Sequence, residues 1–248
     1  MSRNISTTLR SPLTPVAVIA AALAVAVSVQ VVGADGANQR GSSPAPVTLV
    51  HGTELTASST LADWAATADH VVTATVRSET ALDAPESETV DPADEPIGRQ
   101  VSLVVDEVHW SAKDAPVAAP TTFQMNAYGW VPVASGRSEA AGEFASRLEV
   151  GHTYLLALAW KRAECGEGET VPAAWTPIGS GAAIPADTGV LGEGEFEGVE
   201  VSPGDERLRG EGRGSVIARF AGKSAGEVAR ALRPTARTHA FAQVGDAC

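Results

Sequence analysis

Outside the N-terminus, apolar residues are most densely clustered in residues 154–160, which read YLLALAW. Gly151 and a loop at Gly166 bound this run, and an aromatic residue stands at each end. The run is too short to cross a bilayer as a helix. Its length and flanking glycines favour a central β-strand buried on both faces, although periodicity alone leaves a buried helix open.

Alternating and β-branched segments predict further strands. The clearest is HVVTATVRS at residues 70–78, where β-branched residues recur at every second position. In a second strand, at 99–110, the apolar set changes face at Asp106 and Glu107, which predicts a β-bulge. The remaining strand predictions are residues 121–128, 173–178 and 215–220, with a short strand near 189–191.

Two short helices are predicted. The first covers residues 59–69, with Ser59 or Thr60 as its cap, and the second covers residues 224–232 and is stopped by Pro234. The 24 glycines and 15 prolines indicate many turns, and alternating β and α units are absent. We therefore expect a mainly β protein, a small five- to six-stranded barrel or a sandwich, with one or two short helices.

The N-terminus has the pattern of an export signal. Residues 1–15 are polar and contain Arg3 and Arg10 but no acid, residues 16–32 are mostly apolar, and Gly33 and Ala34 follow. This predicts a hydrophobic export helix, either cleaved as a signal peptide or retained as an anchor. The bulk of the chain is then extracytoplasmic, secreted or anchored to the cytoplasmic membrane by residues 16–32.

Composition changes divide the chain into five predicted regions. They are the signal peptide or anchor at 1–34, a flexible linker at 35–58, a β-barrel domain at 59–192, a Gly/Glu-rich loop at 193–214, and a C-terminal strand and helix packing on the barrel at 215–248.

Charge argues against nucleic-acid binding. The net charge is −12, and beyond residue 34 the chain has 16 basic and 30 acidic residues, a net −14. Such a surface repels phosphate backbones. The acidic stretch 79–98 lacks the spacing of a calcium loop, and none of the five histidines forms an HxH or HExxH pair. The sequence therefore predicts neither a metal nor another cofactor.

Cys165 and Cys248 are the only cysteines. An oxidising compartment permits a disulfide between them, which would close an 84-residue loop, counted from 165 to 248 inclusive, and stabilise the fold by about 4 kcal/mol in the chain-entropy account. Two unpaired thiols are the alternative. Two cysteines without the spacing of a metal cluster do not predict a zinc site.

The segment from Gly222 to Gly226 reads GKSAG and matches the G-x-S-x-G pattern of serine hydrolases. It lies between a predicted strand and a predicted helix, as a nucleophile elbow requires. However, no Asp lies between Ser224 and His239, and no α/β framework precedes the segment. Ser224 with Glu227 also matches S-x-x-E, a capping box, which is the interpretation we favour.

Tyr128, Gly129 and Trp130 predict a turn that exposes an aromatic residue. An exposed Trp130, with Tyr128 beside it, can stack on a sugar or anchor a protein partner. These two residues are therefore the candidate binding residues, although a tryptophan is more often part of the core.

The order of segments resembles a known group of proteins. ADHVVTATV, VSLVVDEVHWS, TTFQMNAYG and LEVGHTYLLALAW, within residues 68–192, resemble exported actinobacterial proteins of unknown role. Those proteins are similar to the OB-like barrel in its netrin and TIMP-like form. The resemblance implies a binding barrel. TIMP-like inhibitors chelate a protease zinc through an N-terminal cysteine, and this chain has no cysteine before Cys165, so that activity does not carry over.

These observations predict an exported or membrane-tethered, non-catalytic binding module of the cell envelope. Its partner would be an envelope protein or a glycan, not a nucleic acid, and it would contact the membrane only through an uncleaved N-terminal helix. A secreted serine hydrolase using Ser224 and His239 is the alternative, and a purely structural envelope spacer is a third reading.

Overall fold

The computed structural model describes residues 47–52, 57–82, 96–165, 170–209, 212–232 and 246–247. The export segment at 16–32, the acidic residues 83–95, His239 and Cys248 lie outside the described residues. No described helix is long and apolar enough to span a bilayer.

The described chain is mainly β, which confirms the predicted class. The strands are β1 Thr48–Val50, β2 His70–Ala81, β3 Ile97–Ser111, β4 Thr122–Val133, β5 Gly136–Gly142, β6 Thr153–Lys161, β7 Glu164–Cys165, β8 Thr170–Val171, β9 Ala174–Pro177, β10 Ala183–Pro185, β11 Gly194–Phe196, β12 Val199–Val201 and β13 Asp246–Ala247. The helices are α1 Leu61–Thr67, α2 Val216–Phe220 and α3 Ala225–Ala231, with 3₁₀ turns at Ser180–Ala182 and Glu206–Arg209.

Strand β6 is the predicted central strand. It pairs with β2 along one edge and with β9 and β10 along the other. Its residues from Tyr154 to Ala159 are buried, because Leu155 and Ala157 enter one core while Tyr154 and Leu156 enter the other. An uninterrupted apolar run is what a strand covered on both faces requires.

The predicted closed barrel is wrong, because the main sheet is open and has eight strands. Its order is β1-β5-β4-β3-β2-β6-β10, with β9 also on β6. Strand β5 leaves β4 after Glu139, and its residues 140–142 pair in parallel with β1. At the other edge, β9 and β10 end in Pro177 and Pro185, which have no N–H with which to continue a ladder.

The predicted bulge in the second strand is present. Thr73 lies opposite Glu107 and Ala74 lies opposite Val105, so Asp106 is the extra residue of β3. The apolar pattern of the sequence predicted this bulge, because one inserted residue moves all later side chains to the other face of the sheet.

Helices cover one face of the sheet. Thr60, one of the two residues predicted as the cap, caps α1, and it also shares a capping box with Asp63. Trp64 of α1 is fully buried in the core beneath β6, together with Val216 of α2 and Val228 of α3. On the opposite face, β2, β3 and β4 form a second core around Leu103 and Leu156.

Three predictions for the C-terminal half were wrong in detail. Residues 215–220, predicted as a strand, form helix α2 with its cap, because the Ser215 hydroxyl accepts the Ala218 N–H and Val216, Ile217 and Phe220 are buried. Residues 189–191 form no strand, although Val190 makes an isolated antiparallel β-bridge with Ser224. Residues 193–214, predicted as a loop, contain the hairpin of β11 and β12, in which Glu195 and Phe196 are buried.

Cys165 lies in β7 and is not a free thiol. Strand β13 pairs with β7 and places Asp246 opposite Cys165. Cys248, two residues later, lies outside the described residues. The bond between the two cysteines therefore stays a prediction.

Candidate functional site

The candidate site is a cleft of about 520 Å³ beside the C-terminal half of β4. One wall is β4 from Met125 to Val131, a second is residues 145–148, and the third runs from the end of β9 to β10, within residues 176–183. Both predicted binding residues, Tyr128 and Trp130, line this cleft. Most of its lining is apolar.

Tyr128 and Trp130 lie within β4, and not in the turn that the sequence predicted. The glycine between them, Gly129, has a different role. A Cβ atom at Gly129 would collide with the backbone carbonyl of Ile97 on the neighbouring strand. The residue is therefore glycine because the two backbones approach closely where the β3–β4 register shifts, and not because the chain turns.

The two aromatic residues differ in exposure. The Tyr128 side chain is 42% exposed and its ring lies over Gly142, where a Cβ would meet the ring carbon at 2.8 Å. Trp130 is half-buried, and the Arg147 guanidinium carbon lies 5.8 Å from its ring centroid, within cation–π range. Tyr128 is thus the more exposed of the two, whereas the sequence favoured Trp130.

Arg147 is buried at the base of the cleft, and its charge is compensated. It donates from Nε to Ala140 O at 3.0 Å, from Nη2 to Gly129 O at 3.1 Å, and from Nη1 to the Glu149 carboxylate. A guanidinium with its donors committed to backbone carbonyls and a carboxylate does not attract an anionic ligand.

Arg99 joins the wall at residues 145–148 to β4 by hydrogen bonds. It is fully buried, and it donates to Tyr128 O at 2.6 Å, to Leu148 O at 3.1 Å and to the Arg147 carbonyl. Its ion-pair partner is Glu79 of β2. One side chain thus joins β2, β4 and the loop before β6.

Glu195 supports the same wall from behind. Its carboxylate accepts the Arg147 N–H at 2.9 Å, the Leu148 N–H at 3.0 Å, the Gly198 N–H at 2.7 Å and the Tyr154 hydroxyl at 2.7 Å. These bonds hold Leu148 at a φ of 68°, a conformation that costs a residue with a Cβ about 1 kcal/mol.

Burial raises the pKa of the Glu195 carboxyl above its ordinary value, although its four hydrogen bonds act in the opposite direction. The pKa of the Tyr154 hydroxyl is also raised, first by burial and then by the Glu195 charge. The two side chains are hydrogen-bonded to each other and to backbone N–H groups. They therefore stabilise the cleft wall and are not reactive groups.

The second predicted chemistry, at Ser224, does not form a catalytic site among the described residues. The Ser224 N–H and hydroxyl both donate to Glu227 Oε2, at 3.0 and 3.1 Å. These bonds lower the pKa of the Glu227 carboxyl. Ser224 thus opens helix α3 as a capping residue. His239 lies outside the described residues.

We expect Ser224→Ala to lower the free energy of unfolding by about 1 kcal/mol, the usual value of a helix cap. Hydrolysis of p-nitrophenyl acetate should stay at the level of the unmodified protein. Ser202→Ala, at an exposed serine outside any helix, is the control for stability. Loss of esterase activity with unchanged stability would instead make Ser224 a nucleophile.

Within the described residues, one group has the composition of a metal site: His152, Asp187 and Glu200. The sequence did not indicate it, because its members come together only through the fold. His152 Nδ1 lies 2.7 Å from Asp187 Oδ2, and its Nε2 lies 3.5 Å from Glu200 Oε1. The ligand atoms of the three residues lie within 4.8 Å of one another, a spacing compatible with one metal ion, and in the structure the closest two, of His152 and Asp187, share a hydrogen bond.

Comparison with known proteins adds no relative: no protein-family model matches the chain, and no curated protein and no solved structure is similar to it. The resemblance to exported OB-like proteins therefore rests on the quoted residues alone.

Proposed function

We propose that this protein is an exported or membrane-tethered, non-catalytic binding module of the cell envelope, and that it binds its partner in the cleft at Tyr128 and Trp130. The observation that carries the proposal is the position of these two residues in a cleft of about 520 Å³. That volume is within the range of ligand-binding pockets in proteins.

The lining favours a protein partner over a glycan. Met125, Ala127, Val131 and Leu148 supply apolar surface around the two aromatic residues. Four polar side chains also line the cleft, those of Asn126, Ser146, Thr176 and Ser180, but most of the lining is apolar. An apolar pocket with an aromatic anchor at its edge is typical of protein recognition.

The hydrogen bonding of the charged residues at and behind the cleft wall agrees with binding rather than catalysis. Arg147 in the lining and Glu195 behind the wall have their hydrogen bonds engaged by the backbone and by the side chains of Glu149 and Tyr154. Neither is in a position to transfer a proton to a bound molecule, because each would have to break several buried bonds to do so.

The cellular location is proposed from the N-terminus. Basic residues, an apolar segment at 16–32 and the small residues Gly33 and Ala34 follow in the order of an export signal. A cleaved signal gives a secreted protein, and an uncleaved segment gives a tether.

We expect a photoreactive benzoylphenylalanine in place of Tyr128 to cross-link one defined envelope protein in living cells. The same group in place of Val133, which is exposed on β4 but outside the cleft, should not. Adding Trp130→Ala should reduce the adduct about tenfold or more, as loss of an aromatic anchor does. Intact mass of the recovered protein reports whether residues 1–34 were removed.

The matched control for the loss of a tryptophan side chain is Trp110→Ala. Trp110 packs against the core that contains Trp64, and it does not line the cleft. The proposal is contradicted if the two photoreactive positions give the same adducts, or if Trp110→Ala reduces the adduct as much as Trp130→Ala.

A further inference from the structure

Three side chains that can bind a metal ion come together beside the N-terminal end of β6. They are His152, Asp187 and Glu200, and one nitrogen or oxygen atom of each lies within 4.8 Å of the others. They belong to three separate segments, the turn before β6, the turn after β10 and strand β12. The antiparallel pairing of β10 with β6 brings the first two residues together, although they are 35 positions apart in the chain.

The Asp187 carboxylate is held in position by the backbone. Its Oδ1 accepts the Thr153 N–H at 2.8 Å, and its Oδ2 lies 2.7 Å from His152 Nδ1. Gly194 leaves the space that this carboxylate fills, because a Cβ atom at Gly194 would lie 2.6 Å from Oδ2. A carboxylate oriented by hydrogen bonds outside the ligand cluster is a usual feature of metal sites in proteins.

The backbone of His152 is also held in position. Its carbonyl accepts the Val76 N–H at 3.0 Å, and its N–H donates to Glu149 O at 3.2 Å. The side chain is 23% exposed, so an ion can reach it from solvent. A neutral imidazole has one nitrogen free to bind a metal while the other nitrogen keeps the ring proton.

Glu200 supplies the adjustable ligand. Its side chain is 74% exposed, and its Oε1 lies 3.5 Å from His152 Nε2. Two ligands of a tetrahedral zinc ion, each about 2.1 Å from the metal, are about 3.4 Å apart. Binding one ion therefore requires small movements of side chains, and the long, exposed glutamate can make the largest of them.

No basic side chain balances the charge of this cluster in the described part of the chain. The ion pairs of Asp187 and Glu200 are both with His152. With a neutral imidazole, the cluster therefore carries two negative charges side by side. A bound divalent cation would balance both charges.

The ligand set favours one class of metal ion. Calcium and magnesium prefer sites made of oxygen atoms alone, whereas an imidazole nitrogen suits zinc and the neighbouring transition metals. Three protein ligands leave a fourth position for water, and Asp187 and Glu200 are both exposed on the solvent side.

We propose that His152, Asp187 and Glu200 together bind one zinc-class divalent metal ion. The inference goes beyond the proposed function and does not depend on it. The ion would join strand β12 to the two turns at the end of the β6–β10 pair. Strand β12 pairs with β11, which carries the Glu195 that holds the cleft wall. Metal binding would therefore stabilise the hairpin behind the cleft.

The first test is isothermal titration of the untagged, EDTA-treated exported protein with zinc chloride. We expect one zinc ion per chain, and calcium and magnesium should bind at least about tenfold more weakly than zinc. Zinc at about 100 times its Kd should raise the melting temperature by about 5–10 °C. A zinc Kd weaker than about 1 mM, or calcium binding as tight as zinc binding, would overturn the proposal.

Variants locate the site. His152→Ala and Glu200→Gln should each weaken zinc binding about tenfold or more. The matched controls are His51→Ala and Glu206→Gln, at an exposed histidine and an exposed glutamate outside the cluster. Both should change zinc affinity less than about twofold. Equal zinc affinity in Glu200→Gln and Glu206→Gln would place any bound zinc elsewhere and overturn the inference.

Two further measurements keep the test independent of misfolded variants. Without added metal, Glu200→Gln should melt at the temperature of the unmodified protein, because its side chain is exposed. In the unmodified protein, zinc should shift the ¹⁵N resonances of the His152 ring and leave those of His51 and His70 unchanged. Zinc-dependent shifts at other histidines but not at His152 would contradict the proposal.

Discussion

Replacing Glu195 with alanine is expected to lower the free energy of unfolding by about 4 kcal/mol. The substitution leaves three backbone N–H groups and the Tyr154 hydroxyl without their acceptor in a buried site. It also releases Leu148, whose φ of 68° is held by one of these bonds. Urea denaturation followed by tryptophan fluorescence measures the loss.

The matched control lies on the same hairpin. Glu200 is directly opposite Glu195 in the β11–β12 register, and its side chain is 74% exposed. We expect Glu200→Ala to change stability by less than about 0.5 kcal/mol. Comparable losses for the two variants would show that the Glu195 hydrogen bonds do not stabilise the fold.

The pH dependence of the same residue has a definite sign. Burial raises the Glu195 pKa above 4.5 in the folded protein, so the folded state binds more protons than the unfolded state over that interval. The contribution of Glu195 to stability is therefore greatest below pH 4.5 and declines as pH rises through the raised pKa. The stability difference between wild type and Glu195→Gln should shrink correspondingly with increasing pH.

Arg99→Ala is expected to have the second large effect, a loss of about 3–5 kcal/mol. The substitution leaves the carbonyls of Tyr128, Arg147 and Leu148 unpaired and the Glu79 carboxylate without its cation. Because these carbonyls belong to two walls of the cleft, binding in the cleft should weaken along with stability. Thermal unfolding and the yield of the cross-link from the photoreactive residue at position 128 report the two effects.

The control for this prediction is Arg77→Ala, at an arginine of the neighbouring strand. Its pair with Asp106 is 3.8 Å long and exposed on both sides, and such pairs contribute less than about 1 kcal/mol. A loss at Arg99 no larger than at Arg77 would mean that the buried guanidinium does not hold the walls together.

The sequence identified the parts of this fold that have a clear periodicity. The apolar run of β6, the alternation of β2 and the bulge at Asp106 were readable, because burial on one or both faces leaves a pattern in the side chains. The cap at Ser224 was predictable because its partner Glu227 stands three positions later, and Thr60 was one of the two caps predicted for α1.

Strand β5 and helix α2 were missed because their sequences mislead. GRSEAAG combines glycine, alanine and charged residues, which disfavour strands. It is a strand because it pairs with β4 and β1. VIARF has the β-branched residues of a strand, yet the cap at Ser215 and the packing of Phe220 make it a helix.

At the candidate site, the two aromatic residues could be predicted from the sequence, but the buried charged residues that hold the cleft walls could not. Tyr128 and Trp130 could be proposed as binding residues because tyrosine and tryptophan are common anchors in binding sites. Arg99, Arg147 and Glu195 look like surface charges, because charged side chains are rarely buried. Their partners lie far away in sequence, as with Glu195 and Arg147, which are 48 residues apart. The sequence contains no local signal for such a network.

The parallel pairing of β1 joins residues that are far apart in the chain, and this has a consequence for folding. Thr48 pairs with Ala140, 92 residues later in the chain, whereas β2, β3 and β4 pair with their immediate successors. Contacts of long sequence separation form late in folding, because loop closure must come first. Strand β1 is the first of the described strands to be synthesised. We nevertheless expect it to pair only after β5 has been synthesised and has joined β4.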